Sequence, residues 1–335
     1  MVAPVPLSWS IHASLQEETN APGTIPGWHQ PGCALERARA THRAVLPEAH
    51  RSRSPVAGRR PIGIARMLRM YVAKQYFGLS DEGIEDAIYN SQAIRDFVGI
   101  DPIWGAAPDA TTLGKFRYLL EAHGLTRRTF ETINAHLAAQ GLTMREGTIV
   151  DVTLIAAPPL TKNQDKQRDL EMHQSKKGNY WHFCMKGYVG VDAASGLVHT
   201  LIGTAGNVAD VAQKHPLLHS EETIVLTNAD YQGVEKRIEN QGRTVRWHVV
   251  IKRTLRRALP ATKLGRMREK PEVLKASVRA KVEHPFHVIK NLFRHRKTRY
   301  RGLAKNTAQL FVLFGLTNLV LARRRFATPA TRRTR

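Results

Sequence analysis

The chain has 335 residues, enough for two or three domains, and 42% of them are apolar, enough to build real cores. Its 51 Lys and Arg stand against 28 Asp and Glu, and the net charge of +23 points to a polyanionic partner, most directly nucleic acid. Only two cysteines occur, Cys33 and Cys184, and without metal-ligand spacing they exclude a disulfide scaffold or zinc site and fit a reducing compartment.

The start, Met1 to Ser14, lacks a charged segment, and Pro4 and Pro6 interrupt its short apolar run, so no secretory signal is expected. Residues 1–58 hold seven of the 17 prolines, no Lys and no Asp. That composition reads as a disordered arm, with Arg37, Arg39, Arg43, Arg51 and Arg53 as an alternative basic contact to DNA. From about Ile62 the pattern turns helical, with Ile64, Met67, Leu68 and Tyr71 at three- and four-residue spacing. Ser80 is placed to cap a helix carrying Ile84, Ala87 and Ile88. Asp109 is placed to open a helix over Ala110–His123, and Gly141 to end one over Arg127–Gln140. Several short helices in succession suit a helix-turn-helix-like DNA reader or, equally, a bundle supporting the next domain.

After Gly147 the period becomes that of strands. Thr148–Ile155, Tyr180–Val191 and Leu197–Thr204 read as strands, the last two joined by a turn at Ala193–Gly196. A helix over Asp210–His219, a strand at Thr223–Leu226, a helix at Val234–Asn240, a strand at Val245–Ile251 and a long helix over Leu274–Arg294 follow. The apolar stretch Leu310–Leu321 is too short to span a bilayer and reads as a core helix. The order of elements predicts an α/β fold: a ribonuclease-H-like catalytic domain with a mixed sheet and flanking helices, behind a small all-helical domain. The boundaries fall as an arm at 1–58, a helical DNA-binding domain at 59–146, the catalytic domain at 147–325 and a basic tail at 326–335.

Two acids stand out. Asp151 follows Ile149 and Val150 within the first strand, where a charge is costly unless it is paired or metal-bound. The plainer reading is an Asp on the exposed side of a half-buried strand. Glu283 is one of three acids among 24 Lys and Arg between Ile251 and Arg335. On a helix it faces Arg279 at i,i+4 with Lys290 two turns further along. A surface salt bridge would explain that pattern too. Phosphodiester chemistry with two Mg²⁺, roughly 3.5–4 Å apart, needs carboxylates converging from separate elements.

Taken with their neighbours, these residues resemble a known family. The carrying segments are Thr148–Pro158, Glu171–Asn179, Tyr231–Gly233, Arg279–Phe286 and Arg299–Gly302. Others lie in the helical part, at Arg60–Gly63, Gln75–Asp81 and Thr111–Arg117. Together they look like the DDE transposases of the insertion-sequence-five family, over about residues 60–322. The resemblance implies a catalytic and metal-binding triad of two Asp and one Glu; Asp151 and Glu283 match its first and third positions, and Asp230, two residues after the position where the second acid is expected, is taken as the substitute for it. It implies two Mg²⁺, with Mn²⁺ able to substitute, and double-stranded DNA as the partner at element ends and target. It also implies a homodimer on DNA and a bacterial, nucleoid-associated, cytoplasmic setting with no membrane. Arg279, Lys290, Lys176, Lys177, Arg299 and Arg301 are the implied DNA contacts.

The sequence departs from the pattern at three places. The family's second acid lies three residues before a tyrosine; here Asn228-Ala229-Asp230-Tyr231 puts Asn at that position and Asp two residues later. On a continuing strand both would face one side. Ala276 stands where a tyrosine is expected, and residues 1–58 lack the Lys/Arg-rich start, as a frameshifted or misassigned beginning would. The alternatives to an active transposase are an inactive DNA-binding relic and another nuclease of the same fold.

Overall fold

The computed structural model describes residues 62–100, 106–142, 147–159, 167–213, 215–219, 222–228, 245–251, 253–260 and 262–326. The arm at 1–58, Asp230, the Tyr231–Gly233 motif, the helix expected at Val234–Asn240 and most of the basic tail lie outside them. The chain divides between His123 and Gly124 into two compact units.

The described part of the first unit is helical: α1 (Ile64–Phe77), α2 (Asp81–Asn90), α3 (Gln92–Val98) and α4 (Ala110–Ala122). Helical spacing brings Met67, Leu68, Met70 and Tyr71 of α1 inside with Ile84, Ile88, Val98 and Leu113. The expected caps form: Ser80 accepts from the Gly83 N–H at 2.8 Å and Asp109 from the Thr112 N–H at 2.6 Å. Asp81 accepts from Lys74 and, at 2.9 Å, from Arg117. Burial alone would raise its carboxyl pKa, but the two cations outweigh it and hold the group below the ordinary carboxylate value.

The second unit is built on a six-stranded mixed sheet. Its strands are β1 (Gly147–Ala156), β2 (His173–Lys177), β3 (Tyr180–Asp192), β4 (Val198–Ala205), β5 (Ile224–Thr227) and β6 (Arg246–Val249). β1 runs antiparallel to β3 and parallel to β5, which is parallel to β6. The long β3 pairs with β2 over Tyr180–Cys184 and with β4 over Met185–Val191. An antiparallel β1–β3–β4 half joined through β1 to a parallel β5–β6 half is consistent with the ribonuclease-H-like arrangement expected from the sequence.

Alternation along β1 and β3 assigns the two faces. Val150 and Tyr188 point to one face, where Leu217, Leu218 and Val225 complete a buried cluster. Asp151 and Val189, paired in the register, point to the other face. Helix α9 (Leu303–Phe326) lies over that second face, so close that a side chain at Gly203 would collide with Thr307. Helix α5 (Leu125–Ala139) packs on α9 through Phe130, whose ring lies 5.7 Å from that of Phe311. The fully buried Asn318 of α9 locks β4, accepting from the Val198 N–H and donating to its carbonyl and to Asn134 of α5. A segment read from sequence as the last helix of the helical domain thus packs with the second unit.

The long helix expected over Leu274–Arg294 is longer and less regular. After the short α6 (Arg253–Arg257), it begins as α7 (Lys263–Arg279), tightens to a 3₁₀ turn at Ala280–Val282, resumes as α8 (Glu283–His287) and widens to a π turn at Val288–Leu292. Pro285 gives a physical reason for the first change: it has no N–H to bond the Lys281 carbonyl, and it sits in the first turn of α8, where that loss is tolerated. Among the described residues no helix is long and apolar enough to cross a membrane.

Candidate active site

β1 carries Asp151 because its apolar, β-branched run is buried on both sides of the sheet. The side chain is 9% exposed, and its two oxygens are both engaged. Oδ1 accepts from the Val152 N–H at 2.9 Å, and Oδ2 accepts from Arg279 Nη2 at 2.6 Å. Burial is the largest influence and raises the carboxyl pKa despite Arg279; nearby Glu283 raises it further and Lys177 opposes. Ionising this group therefore works against its surroundings, a perturbation common at sites that bind cations or move protons.

The Arg279–Glu283 segment is brought to β1 by its neighbours. Val282 is fully buried, and Lys281 donates to the Ala193 carbonyl in the β3–β4 turn at 2.6 Å. With the turn so held, Arg279 lies between the two acids. Its Nη2 meets Asp151, and its Nη1 is 3.9 Å from Oε1 of Glu283. One guanidinium thus joins two carboxylates that are 132 positions apart in the chain. Glu283 itself is 61% exposed, open to a ligand from solvent.

The β1–β5 register can be followed toward Asn228. Gly147 pairs with Ile224 and Ile149 with Leu226; continued two residues past the last paired position, the same register would bring Asn228 level with Asp151. Asn228 is half-buried, directly beyond the end of β5. Asp230 lies outside the described residues.

Two of the expected cations belong to the same electrostatic neighbourhood. Lys290, half-buried in the π turn, is held below the ordinary lysine range by burial first and then by Lys177 and Arg296, with Glu283 opposing. Lys177 therefore acts on both Asp151 and Lys290. Lys176 is exposed on β2. Arg299 and Arg301 occupy the turn before α9, Arg301 exposed and Arg299 half-buried. Arg299 also reinforces the burial that drives the His295 imidazole down to about 4.

The structure gives Glu171 and Asp169 roles that sequence reasoning missed. Glu171 accepts from the Leu303 N–H, and Asp169 from the Gly302 N–H at 2.7 Å. Asn306 accepts from the N–H groups of Arg299 and Tyr300 and donates to the carbonyls of Tyr300 and Gly302. These bonds fix the arginine-bearing turn, whose Gly302 has a φ of +93° that a side chain would strain. Glu171 opens one of the blocks that carry the family resemblance, but its partner is far away in sequence.

The oxygens of Asp151, Glu283 and Asn228 are hard donors of the kind that suit Mg²⁺ or Mn²⁺. The Arg279 guanidinium between the two carboxylates shows that the position favours positive charge. The residues fit a divalent cation in donor chemistry. Among the described residues no three His, Cys, Asp or Glu side chains gather as a metal-binding group.

Two family models match the chain. The family described as "Transposase DDE domain" matches residues 142–319, which contain Asp151, Arg279, Glu283 and Lys290. A second, described as "Transposase domain (DUF772)", matches residues 39–119 and so reaches back into the segment at 1–58. No solved structure matches the chain. With more than half of its length matched, and two carboxylates joined through one arginine within that match, the chain belongs to the DDE transposases of mobile elements.

Proposed function

We propose that the chain moves an insertion element of the insertion-sequence-five kind, binding its terminal inverted repeats as a homodimer in the bacterial cytoplasm. The observation that carries this reading is the bridge from Asp151 through Arg279 to Glu283. Asp151 and Glu283 hold divalent metal, and Asp230 supplies the second acid. When bound, two Mg²⁺ lower the cost of generating the attacking oxygen and of releasing the leaving one. In the first step water attacks a phosphorus at the element end, the P–O3′ bond breaks, and a 3′-hydroxyl is freed. In the second, that hydroxyl attacks a target phosphorus and displaces another 3′-oxygen.

The protein's own side chains bind and orient the DNA for these steps. Lys290 and Lys177 meet phosphates beside the carboxylates, and Arg279 neutralises the acids and takes up a phosphate as DNA enters. Lys176, Arg299 and Arg301 extend the basic track, and the helical unit reads the repeat.

A second reading is favoured by one observation. Asn228, which the continued β1–β5 register would bring level with Asp151, carries no negative charge. A chain whose site lacks the second carboxylate would bind DNA without cutting it.

Phosphate binding is tested by Lys290→Ala. Affinity should fall alike on all sequences, and the slope of log K against log salt should become shallower by about one. Fluorescence anisotropy across a salt series reads both. Lys290→Met, which keeps the apolar stem, controls for lost packing. A variant that loses only sequence discrimination, with an unchanged slope, would contradict the phosphate role.

A further inference from the structure

The stretch Arg294–Gly302 carries five cations, Arg294, Arg296, Lys297, Arg299 and Arg301, whose charges repel one another. Its backbone is nevertheless tied in two places. At Arg296–Thr298 it runs beside the end of β1: the Thr298 N–H donates to the Ala156 carbonyl at 2.8 Å, and the Ala156 N–H to the Arg296 carbonyl at 3.3 Å. Beyond the arginines it meets two acids. Asp169 Oδ2 accepts from the Gly302 N–H at 2.7 Å, and Glu171 Oε2 from the Leu303 N–H. The acids are themselves joined, since Asp169 Oδ1 accepts from the Glu171 N–H at 3.1 Å.

Both of these bonds to the stretch go to main-chain N–H groups, so they set the path of the chain. Gly302 is conformationally permissive and does not by itself select its φ of +93°. The two carboxylates do. Their position is at odds with simple electrostatics, however. Glu171 is exposed and Asp169 half-buried, beside arginines that meet phosphate, and a carboxylate there repels the ligand. Two acids so placed oppose DNA binding unless they supply something larger. What the geometry supplies is a fixed path for Arg299–Arg301.

We infer that Asp169 and Glu171 are positioning residues for DNA. By holding the N–H groups of Gly302 and Leu303, they present Arg299 and Arg301 to the phosphate backbone in one arrangement. This rests on the reading of the two arginines as DNA contacts. A turn ordered before the DNA arrives loses less freedom on binding, so each phosphate contact is stronger than on a loose segment.

The test is an anisotropy titration of the full chain with a short duplex of arbitrary sequence across a salt series. Asp169→Ala with Glu171→Ala removes two negative charges, so electrostatics alone predicts tighter binding. The positioning role predicts the opposite: affinity falls about ten-fold or more, and the slope of log K against log salt becomes shallower by up to about two, one for each arginine. Asp169→Asn with Glu171→Gln keeps an acceptor oxygen at each place without the charge, and should bind at least as tightly as wild type with the slope retained. Arg299→Ala with Arg301→Ala should lose the same slope, and adding the Ala pair at the acids should cost no further affinity. If the Ala pair binds as tightly as wild type or tighter, or the amide pair weakens with it, the positioning role is overturned; weakening in the arginine variant then leaves the DNA contacts standing. Wild-type binding by the arginine variant, or no binding by the wild-type chain, would overturn both. Should the Ala pair melt far below wild type, Glu171→Asp keeps the charge and withdraws the oxygen by one methylene. It carries the same expectation of weakened binding, and wild-type affinity there would overturn the proposal.

Discussion

Replacing Asp151 by Asn should lower metal-dependent DNA nicking by more than about 100-fold while leaving DNA affinity and folding intact. Even residues that merely support a metal ligand commonly cost about 10–100-fold when removed, so a ligand carboxylate should cost more. Folding should survive for an electrostatic reason. The carboxyl pKa of Asp151 is raised above its ordinary 3.8, so the folded state takes up a proton more readily than the unfolded chain. The contribution of Asp151 to stability is therefore greatest where the group is protonated. It is lost as pH rises from the unfolded value through the folded one. At neutral pH the ionised group is a burden on folding, and Asn keeps an oxygen for Arg279 and the Val152 N–H without the charge. Thermal melts at neutral pH should show a midpoint equal to or above that of the wild-type chain. A nicking assay on plasmid and an anisotropy titration complete the comparison. A variant that nicks at the wild-type rate would remove Asp151 from the chemistry, and one that melts far below wild type would give it a structural role.

The second acid gives the next largest effect. Asp230→Ala should abolish nicking, and adding Asn228→Asp to that variant should restore it. The parallel register, continued two residues past its last pair, brings position 228 level with Asp151, and a carboxylate there is expected to meet the same site from the end of β5. Restoring a missing negative charge should strengthen metal binding and raise the cutting rate by at least about 10–100-fold over the single variant. If the wild-type chain binds DNA but does not nick it, and Asn228→Asp alone produces nicking, the inactive reading is correct and Asp230 has no part. Robust nicking that survives Asp230→Ala would contradict both readings and make the Asn228 oxygen a sufficient ligand.

The sheet was legible where residues face one way for many positions. β1, β3, β4 and β5 each follow an apolar or alternating run, and the turn at Ala193–Gly196 is marked by its small residues and glycine. β2 was missed because His173–Lys177 is polar throughout, with no apolar face; the Gly178–Asn179 pair before an aromatic strand was the cue that could have found it. The partner of α5 was not legible either. Its apolar face shows that it packs on something, but only the fold brings Phe130 to Phe311 and Asn134 to Asn318.

The site divides in the same way. Asp151 and Glu283 were visible because one is a charge in an apolar strand and the other a rare acid in a basic stretch. The role of Arg279 was read from its spacing to Glu283 and from the family resemblance, and so as a grip on phosphate. Its shortest contact is to Asp151 in another element, which no local spacing reveals. Glu171 shows the same limit, since the helix start that it binds lies 132 positions further on. The irregular path from Arg279 to Leu292 follows from Pro285 and from packing, so an ideal helix only roughly places Lys290 relative to Glu283.

The central claim is that Asp151 and Glu283 share one metal site, and anomalous diffraction from crystals grown with Mn²⁺ tests it most directly. The account predicts an anomalous peak within about 2.0–2.4 Å of a carboxylate oxygen from each residue, with the Arg279 guanidinium displaced from between them. A peak bound elsewhere, with Asp151 still held by Arg279 and Glu283 unliganded in solvent, would contradict it.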